Sequence, residues 1–344
     1  MAKEQIRLGL IGCGGNMRSR VQRRLSVIAE ARVAALADPD EKAIKRLMEA
    51  APNVAQARTF SNYRSMLDAV DLDAVMISTP HKFHAEQIWE SLDRGLHVLT
   101  EKPMVCTVEQ AKKVIQKRDA AGKILEVGYQ RHFQGPFRLA RQRIQSGQLG
   151  EVYFMTILQC QKWWNPKASG VWRFSLDMSG GGQLNDSGSH LLDIALWMTG
   201  LVPDEAFAYI DTRGAEVDVL TAASVKFANG ALCNMSIVGE AAYRGMDEAE
   251  YIWGTKGHIA ITGTGNPAVT LKTPGEEPGL RPVVRQVPSE EMPMGAPSPD
   301  HNFIAAILGR EEVEVPAECG LRVIQVSEAI WESARTGRPA KVKV

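Results

Sequence analysis

The first 125 residues alternate short, largely apolar runs with longer stretches in which apolar positions recur at helical spacing. Ile6–Ile11, Val33–Ala37, Ala74–Ser78 and His97–Thr100 are the runs. Met17–Ala29, Glu41–Ala51, Tyr63–Val70, His84–Arg94 and Val108–Ala121 are the amphipathic stretches between and after them. Strands that are apolar throughout and separated by helices belong in a parallel sheet covered on both faces. Right-handed crossovers then wind such a sheet doubly. The pattern predicts a doubly wound α/β domain over residues 1–125.

After Gly122 the texture changes. A helix is expected over Phe137–Ser146, then the alternating strand Val152–Gln159 and a helix from Gln183 to Met198 entered through Gly180-Gly181-Gly182. Ala206–Asp211, Ala222–Phe227, Ala231–Gly239, Glu248–Trp253, His258–Thr262 and Ala268–Lys272 follow as strands, joined by turns such as Asn229-Gly230 and Lys256-Gly257. Consecutive strands without helices between them favour a large, mostly antiparallel open sheet with one covered face. Residues 126–344 are therefore read as a second, α+β domain. The Pro-, Gly- and Glu-rich stretch Thr273–Pro299 is expected to be an extended loop. The final helices, Asn302–Leu308 and Leu321–Thr336, are assigned to the second domain, with a return to the first as the alternative.

Composition narrows the classes. A length of 344 residues suits two domains at roughly 100–200 residues each. Forty Lys and Arg balance forty Asp and Glu, which disfavours nucleic acid and anionic membrane surfaces as partners. No apolar run is long enough to span a bilayer. The opening Met-Ala-Lys-Glu-Gln leads into a strand without a signal-peptide core. The cysteines, Cys13, Cys106, Cys160, Cys233 and Cys319, are odd in number and scattered, so a reducing cytoplasm is the expected location.

Two constellations carry chemistry. Ile6–Gly15 is a strand that runs into Gly12-Cys13-Gly14-Gly15 ahead of a helix. Gly12 permits the tight turn, and Gly14 lets backbone N–H groups approach a pyrophosphate at the helix N-terminus. The third glycine of the dinucleotide fingerprint is replaced by Met17, which implies a displaced helix or a shifted turn. Asp38, closing the second strand, would accept hydrogen bonds from a ribose diol and repel a 2′-phosphate, favouring NAD over NADP. Its alternative is a strand cap before Pro39. Ser78-Thr79-Pro80 ends another strand on the ligand-binding side of the sheet. His84 opens the next helix, either beside the cofactor or as a structural histidine. Arg18, Arg20, Arg23 and Arg24 are read as a solvated helix face.

The second constellation has two parts. Glu101-Lys102-Pro103 ends a strand, where a partly desolvated lysine is suited to acid–base work. Farther on, Asp186, His190 and Asp193 fall at i, i+4 and i+7, one stripe of a helix, opposite Leu184, Gly188, Leu191, Ala195 and Met198. A carboxylate and an imidazole on one face suit proton transfer. A histidine satisfied in the core is the alternative. No third His or Cys stands nearby, so no metal is assigned.

In order, the Gly-Cys-Gly-Gly turn, Asp38, Ser-Thr-Pro, Glu-Lys-Pro, Gly-Gly-Gly-x-x-x-Asp-x-Gly-x-His-x-x-Asp and Trp253-Gly254-Thr255-Lys256-Gly257 resemble the glucose–fructose oxidoreductase / inositol dehydrogenase / MocA family over about residues 5–344. The resemblance implies an N-terminal Rossmann domain, a C-terminal α+β domain whose open sheet joins subunits into dimers or tetramers, and Lys102, Asp186 and His190 as the catalytic residues. Met17 is the departure from the pattern. The cofactor side becomes Gly12, Cys13, Gly14, Gly15, Asn16, Met17, Asp38, Ser78, Thr79, Pro80, His84, Glu101 and Lys102. The substrate side becomes Lys102, Tyr129, Arg131, Trp163, Trp172, Arg173, Asp186 and His190. Trp163, Trp164 and Trp172 are either sugar-stacking platforms or core and interface anchors. Tyr129, Gln130, Arg131 and His132 follow the strand Leu125–Gly128 toward the same cleft.

The activity these residues imply is an NAD-dependent dehydrogenase acting on a secondary alcohol of a neutral sugar, glycoside or cyclitol. His190 would accept the proton and Lys102 polarise the oxygen, or Lys102 would itself be the base. A redox-neutral glycosidase or epimerase with bound NAD, and a non-catalytic NAD- or sugar-sensing regulator, are the alternatives.

Overall fold

A computed structural model describes residues 5–168, 170–275 and 281–343, in two compact units. The first runs to Gln130 and resumes over Ala296–Leu321; the second holds Arg131–Gly295 and the chain from Arg322.

The first unit is built on β1 (Ile6–Ile11), β2 (Ala31–Ala37), β3 (Arg58–Phe60), β4 (Ala74–Ile77), β5 (His97–Thr100) and β6 (Leu125–Val127). They pair in parallel in the order β3-β2-β1-β4-β5-β6. The helices are α1 (Gly15–Arg23), α2 (Glu41–Ala50), α3 (Tyr63–Ala69), α4 (His84–Asp93) and α5 (Val108–Ala121). Asp40, Asn62 and Thr107 cap α2, α3 and α5 through their side-chain oxygens, satisfying N–H groups that a helix start leaves open. Every residue of β4 is buried, as a strand covered on both faces requires. The strand order reverses between β1 and β4, so the crevice beyond their carboxyl ends is where such a sheet receives a ligand. β3 was absent from the apolar pattern: two of its three residues are exposed at the sheet edge.

The second unit contains α6 (Gly135–Gln145), β7 (Val152–Gln161), α7 (Leu176–Ser179), α8 (Gly188–Thr199), β8 (Pro203–Asp211), β9 (Leu220–Phe227), β10 (Leu232–Val238), β11 (Met246–Gly254), β12 (Gly257–Thr262), β13 (Ala268–Thr273), β14 (Val283–Val287) and β15 (Ala340–Lys341). The order is β14-β13-β12-β11-β7-β10-β9-β8-β15; β7 and β10 run parallel and the other pairs antiparallel. The register puts Met155, Ile157, Met235, Ile237, Ala223 and Val225 on one face, and all are buried. Helices α6 and α8 pack on the sheet at β12 and β7. The opposite face carries Phe154, Leu158, Leu232, Tyr209 and Trp253, with Tyr209 72% exposed. The loop expected over Thr273–Pro299 contains β14, paired to β13; residues 276–280 of that stretch lie outside those described.

The helix α9 (Pro299–Ile307) belongs to the first unit. Its Phe303 and Ile304 share one apolar core with Leu8, Leu10 and Met17, and Val127 N–H donates to Val315 O at 3.0 Å. The last helix is α10 (Ala317–Thr336). Among the described residues no helix is long and apolar enough to cross a membrane.

Candidate active site

In the first unit, Gly12 has φ +87°, and a Cβ there would lie 2.5 Å from Ser78 O. The turn is glycine's because both its dihedral and its fit against β4 exclude a side chain. Asp38 stands over this turn: its Oδ2 accepts from Cys13 N–H at 2.7 Å and its Oδ1 from Asp40 N–H at 2.8 Å. Burial, then the charge of Asp38, pushes the Cys13 thiol up to about 12, so it is unreactive. Gly14 caps α1, and a Cβ on Gly14 or Gly15 would meet nothing within 4 Å. That open space beside a helix N-terminus, whose first N–H groups have no partner within a helix, fits a dinucleotide pyrophosphate. Met17 is fully buried in the core with Val21 and Leu36. A methionine thus fills the third-glycine place by burying its side chain, and α1 starts at Gly15, two residues before the helix expected from the pattern.

Thr79 Oγ1 donates to Gln87 at 2.7 Å. His84, fully buried, sets Nδ1 2.8 Å from Pro103 O and Nε2 3.0 Å from Thr79 O. Of the two readings open for His84, the geometry gives the structural one: its ring ties the Ser-Thr-Pro loop to the Glu-Lys-Pro loop. Lys102 sits between Glu101 and a cis Pro103. Arg20, read above as part of a solvated face, is only 3% exposed and donates to Glu101 Oε1 at 2.5 Å. Tyr129 is fully buried at the end of this unit.

In the second unit, Asp186 does not lie on a helix. Residues 183–187 form turns and α8 begins at Gly188. The cause is Asp218, whose carboxylate accepts from Gly182 N–H at 2.9 Å and Leu184 N–H at 2.7 Å while Trp331 Nε1 donates to it at 3.0 Å. A Cβ at Gly182 would overlap the Asp218 main chain. The expected i, i+4, i+7 stripe is therefore broken. His190, half-buried in the first turn of α8, keeps its place, but Asp193 pairs with His132, Nε2 to Oδ2 at 2.7 Å. Asp186 Oδ2 instead accepts from Trp163 Nε1 and Arg173 Nε, each at 2.9 Å. Trp163 and Trp164 meet Phe174 edge-on, and Arg173 lies over Trp172 at 4.3 Å. Two predicted substrate-side residues, Trp163 and Arg173, thus hold Asp186, and a third, Trp172, lies under Arg173. Arg131 does not join them. It is 5% exposed and its guanidinium is committed to Glu248, which also accepts from Gln159 at 3.0 Å. Asp218, Trp331 and Glu248 carried no local sequence signal.

A doubly wound sheet with this turn at its switch point defines a dinucleotide-binding protein of the Rossmann class. Two family models match the chain: the NAD-binding Rossmann fold of an oxidoreductase family over residues 6–129, and the GFO/IDH/MocA C-terminal domain over residues 137–260. The chain belongs to the Gfo/Idh/MocA oxidoreductase family and carries its NAD-binding Rossmann domain. It is 31% identical over 201 residues to the rhizopine catabolism protein MocA of Rhizobium meliloti, a match covering 58% of this chain and 59% of that one. It is 32% identical over 150 residues to the D-glucoside 3-dehydrogenase of Escherichia coli K12, covering 44% and 42%. The chain thus matches about half the length of these relatives. The WlbA dehydrogenase of Bordetella pertussis, solved with NADH and UDP-GlcNAcA, shares the fold: TM-score 0.87, 24% identity, covering 100% and 99% of the two chains.

Proposed function

We propose that the protein oxidises a secondary alcohol of a neutral sugar, glycoside or cyclitol. Bound NAD supplies the hydride acceptor. In this reading His190 takes the hydroxyl proton, Lys102 orients and polarises the oxygen, and Asp186 orients substrate hydroxyls. Trp163, Trp172 and Arg173 supply the sugar-binding surface. The observation that carries the reading is Asp186 held by Trp163 and Arg173 four residues before His190. An indole and a guanidinium on one carboxylate make a polar and aromatic patch of the kind that receives sugars. D-glucoside dehydrogenation by a relative supports the substrate class. We also place the protein in the cytoplasm, since none of its five cysteines forms a disulfide. We infer a homodimer or homotetramer through the face of the second sheet that carries Tyr209 and Leu232.

The test is a screen of sugars, glycosides and cyclitols for NADH appearance, followed by two variants on the best substrate. Lys102→Met and His190→Ala should each slow turnover by roughly 10²–10⁴-fold, the range of general acid–base groups, with NADH affinity little changed. Near-normal turnover in both would remove the assignment.

A further inference from the structure

Three successive backbone N–H groups lead into the segment that carries Asp186, and all three donate to one residue. Gly182 N–H reaches Asp218 Oδ1 at 2.9 Å and Leu184 N–H reaches Oδ2 at 2.7 Å, while Gln183 N–H donates to the main-chain oxygen of Asp218 at 2.9 Å. Gly182, Gln183 and Leu184 are buried, and a buried N–H left unpaired is costly, so this arrangement decides the path of the turn. Asp218 is itself fixed from behind. The next residue, Val219, donates to Asp211 O at the end of β8 at 3.1 Å and accepts from Gly239 N–H at 2.9 Å. Trp331 Nε1 donates to Asp218 Oδ1 at 3.0 Å. A Cβ at Gly182 would come within 1.9 Å of Asp218 O, so the two segments meet backbone to backbone.

The hydrogen bonds continue from this anchor to Asp186. Asp186 N–H donates to Gly182 O at 3.0 Å, and Gly188 N–H, at the start of α8, donates to Gln183 O at 2.8 Å. The amide of Asp186 therefore hangs from the residue whose own N–H Asp218 holds. Its side chain ends with Oδ2 at 2.9 Å from both Trp163 Nε1 and Arg173 Nε. The apolar periodicity from Gln183 favours a helix through Asp186; the captured N–H groups hold residues 183–187 in turns instead. We propose that Asp218 is a positioning residue for Asp186: it delivers the carboxylate to Trp163 and Arg173 and so sets where substrate hydroxyls meet it. The inference rests on the substrate-orienting role given to Asp186 above. Asp218 itself does not touch substrate in this role, because both of its carboxylate oxygens are spent on main-chain N–H groups. A purely structural Asp218 would tie the turn to the sheet for stability and leave the Asp186–Arg173 pair unaltered in any variant that folds.

Phenylglyoxal labelling of the full-length protein, read at Arg173 by mass spectrometry, separates the two. The Arg173 side chain is 42% exposed, and the reagent attacks the neutral guanidine, which a paired carboxylate disfavours. Asp186→Asn gives the labelling rate of an Arg173 released from its carboxylate. In Asp218→Asn the amide accepts from one N–H group but turns its own NH2 toward the other. Arg173 should then label roughly three- to tenfold faster, part of what losing a charge-assisted hydrogen bond allows. Adding Asp218→Asn to Asp186→Asn should change the rate by less than about twofold, since the two act through one contact. Asp218→Ser, smaller and uncharged, leaves room for water at the N–H groups; it should label like Asp218→Asn and keeps the test open if that variant does not fold. With the best substrate from the screen, Asp218→Asn should raise KM roughly tenfold and alter kcat by less than about threefold, as lost substrate positioning does. Wild-type labelling in the folded Asp218 variants, equal acceleration in the wild-type and Asp186→Asn backgrounds, or a normal KM where Asp186→Asn has a raised one, overturns the proposal. A failure of the proposed function would appear separately, as an Asp186→Asn enzyme with unchanged KM and kcat, whatever the labelling rates.

Discussion

Replacing Gly12 by alanine adds one methyl group at the point where β1 meets the loop after β4. The new Cβ would lie 2.5 Å from Ser78 O, 2.8 Å from Ser78 C and 2.9 Å from Thr79 Cγ2. Two of these are backbone atoms of the residue directly after the fully buried β4, which cannot yield as a flexible side chain would. Holding a non-glycine residue at φ +87° costs about 1–2 kcal/mol, and relieving the overlap costs about 1–3 kcal/mol more. The variant should lose about 2–5 kcal/mol, against a total stability of about 5–15 kcal/mol. Gly14→Ala is the matched control, because its φ of −67° suits any residue and its Cβ meets nothing within 4 Å. Its stability should change by less than about 0.5 kcal/mol. That methyl group would nevertheless occupy the space a pyrophosphate needs for close approach to the turn, and NADH affinity should fall roughly tenfold or more, about 1.4 kcal/mol. Urea unfolding followed by circular dichroism gives the first quantity, and NADH fluorescence titration the second. A Gly12→Ala protein as stable as wild type would refute the packing argument; a Gly14→Ala protein that binds NADH normally would refute the cradle.

Two further outcomes are expected. Calorimetric titration should show NAD binding more tightly than NADP, because Asp38 presents a like charge to a 2′-phosphate; Asp38→Ser should narrow the gap, and equal or tighter NADP binding by the wild type would count against the assignment. Glu126, its carboxyl pushed well up by burial and then by the charge of Asp300, keeps its proton in the fold and releases it on unfolding, so its contribution to stability is present below the ordinary glutamate pKa and is lost as pH rises toward the raised folded value, at about 1.4 kcal/mol per pH unit. Glu126→Gln has no such proton to lose, and its advantage over wild type in urea midpoints should grow with pH; parallel curves would show that Glu126 is not held neutral.

The strand–helix rhythm of the first unit was legible because strands buried on both faces must be apolar at every position, as in β4. β3 was not, being short and mostly exposed, and β14 was hidden in a stretch whose prolines and glycines read as loop. Local chemistry also showed where the Gly-rich turn and the Trp-rich insert stand. What it did not show were partners far away in the chain. Arg131 looked available to substrate because Glu248 lies 117 positions on. The helix expected from Gln183 began late because Asp218, more than thirty positions on, takes the N–H groups of Gly182 and Leu184. Arg20 looked solvated because its partner carboxylates, Glu101 after β5 and Asp300 on α9, lie far off in the chain. Periodicity reports which face is apolar; it does not report a charge that finds its counter-charge in three dimensions.

The return of Ala296–Leu321 to the first unit sets an order of events during synthesis. The segment that begins the chain cannot finish folding when its own strands have left the ribosome. Arg20 still lacks Asp300, the core around Leu8 lacks Phe303 and Ile304, and β6 lacks the carbonyl of Val315. The whole second sheet up to β14 is made in the interval, so the dinucleotide site is among the last parts to close although its turn is among the first made. A chimera that exchanges cofactor domains between relatives therefore has to move two separate pieces of gene, the second coding for Ala296–Leu321.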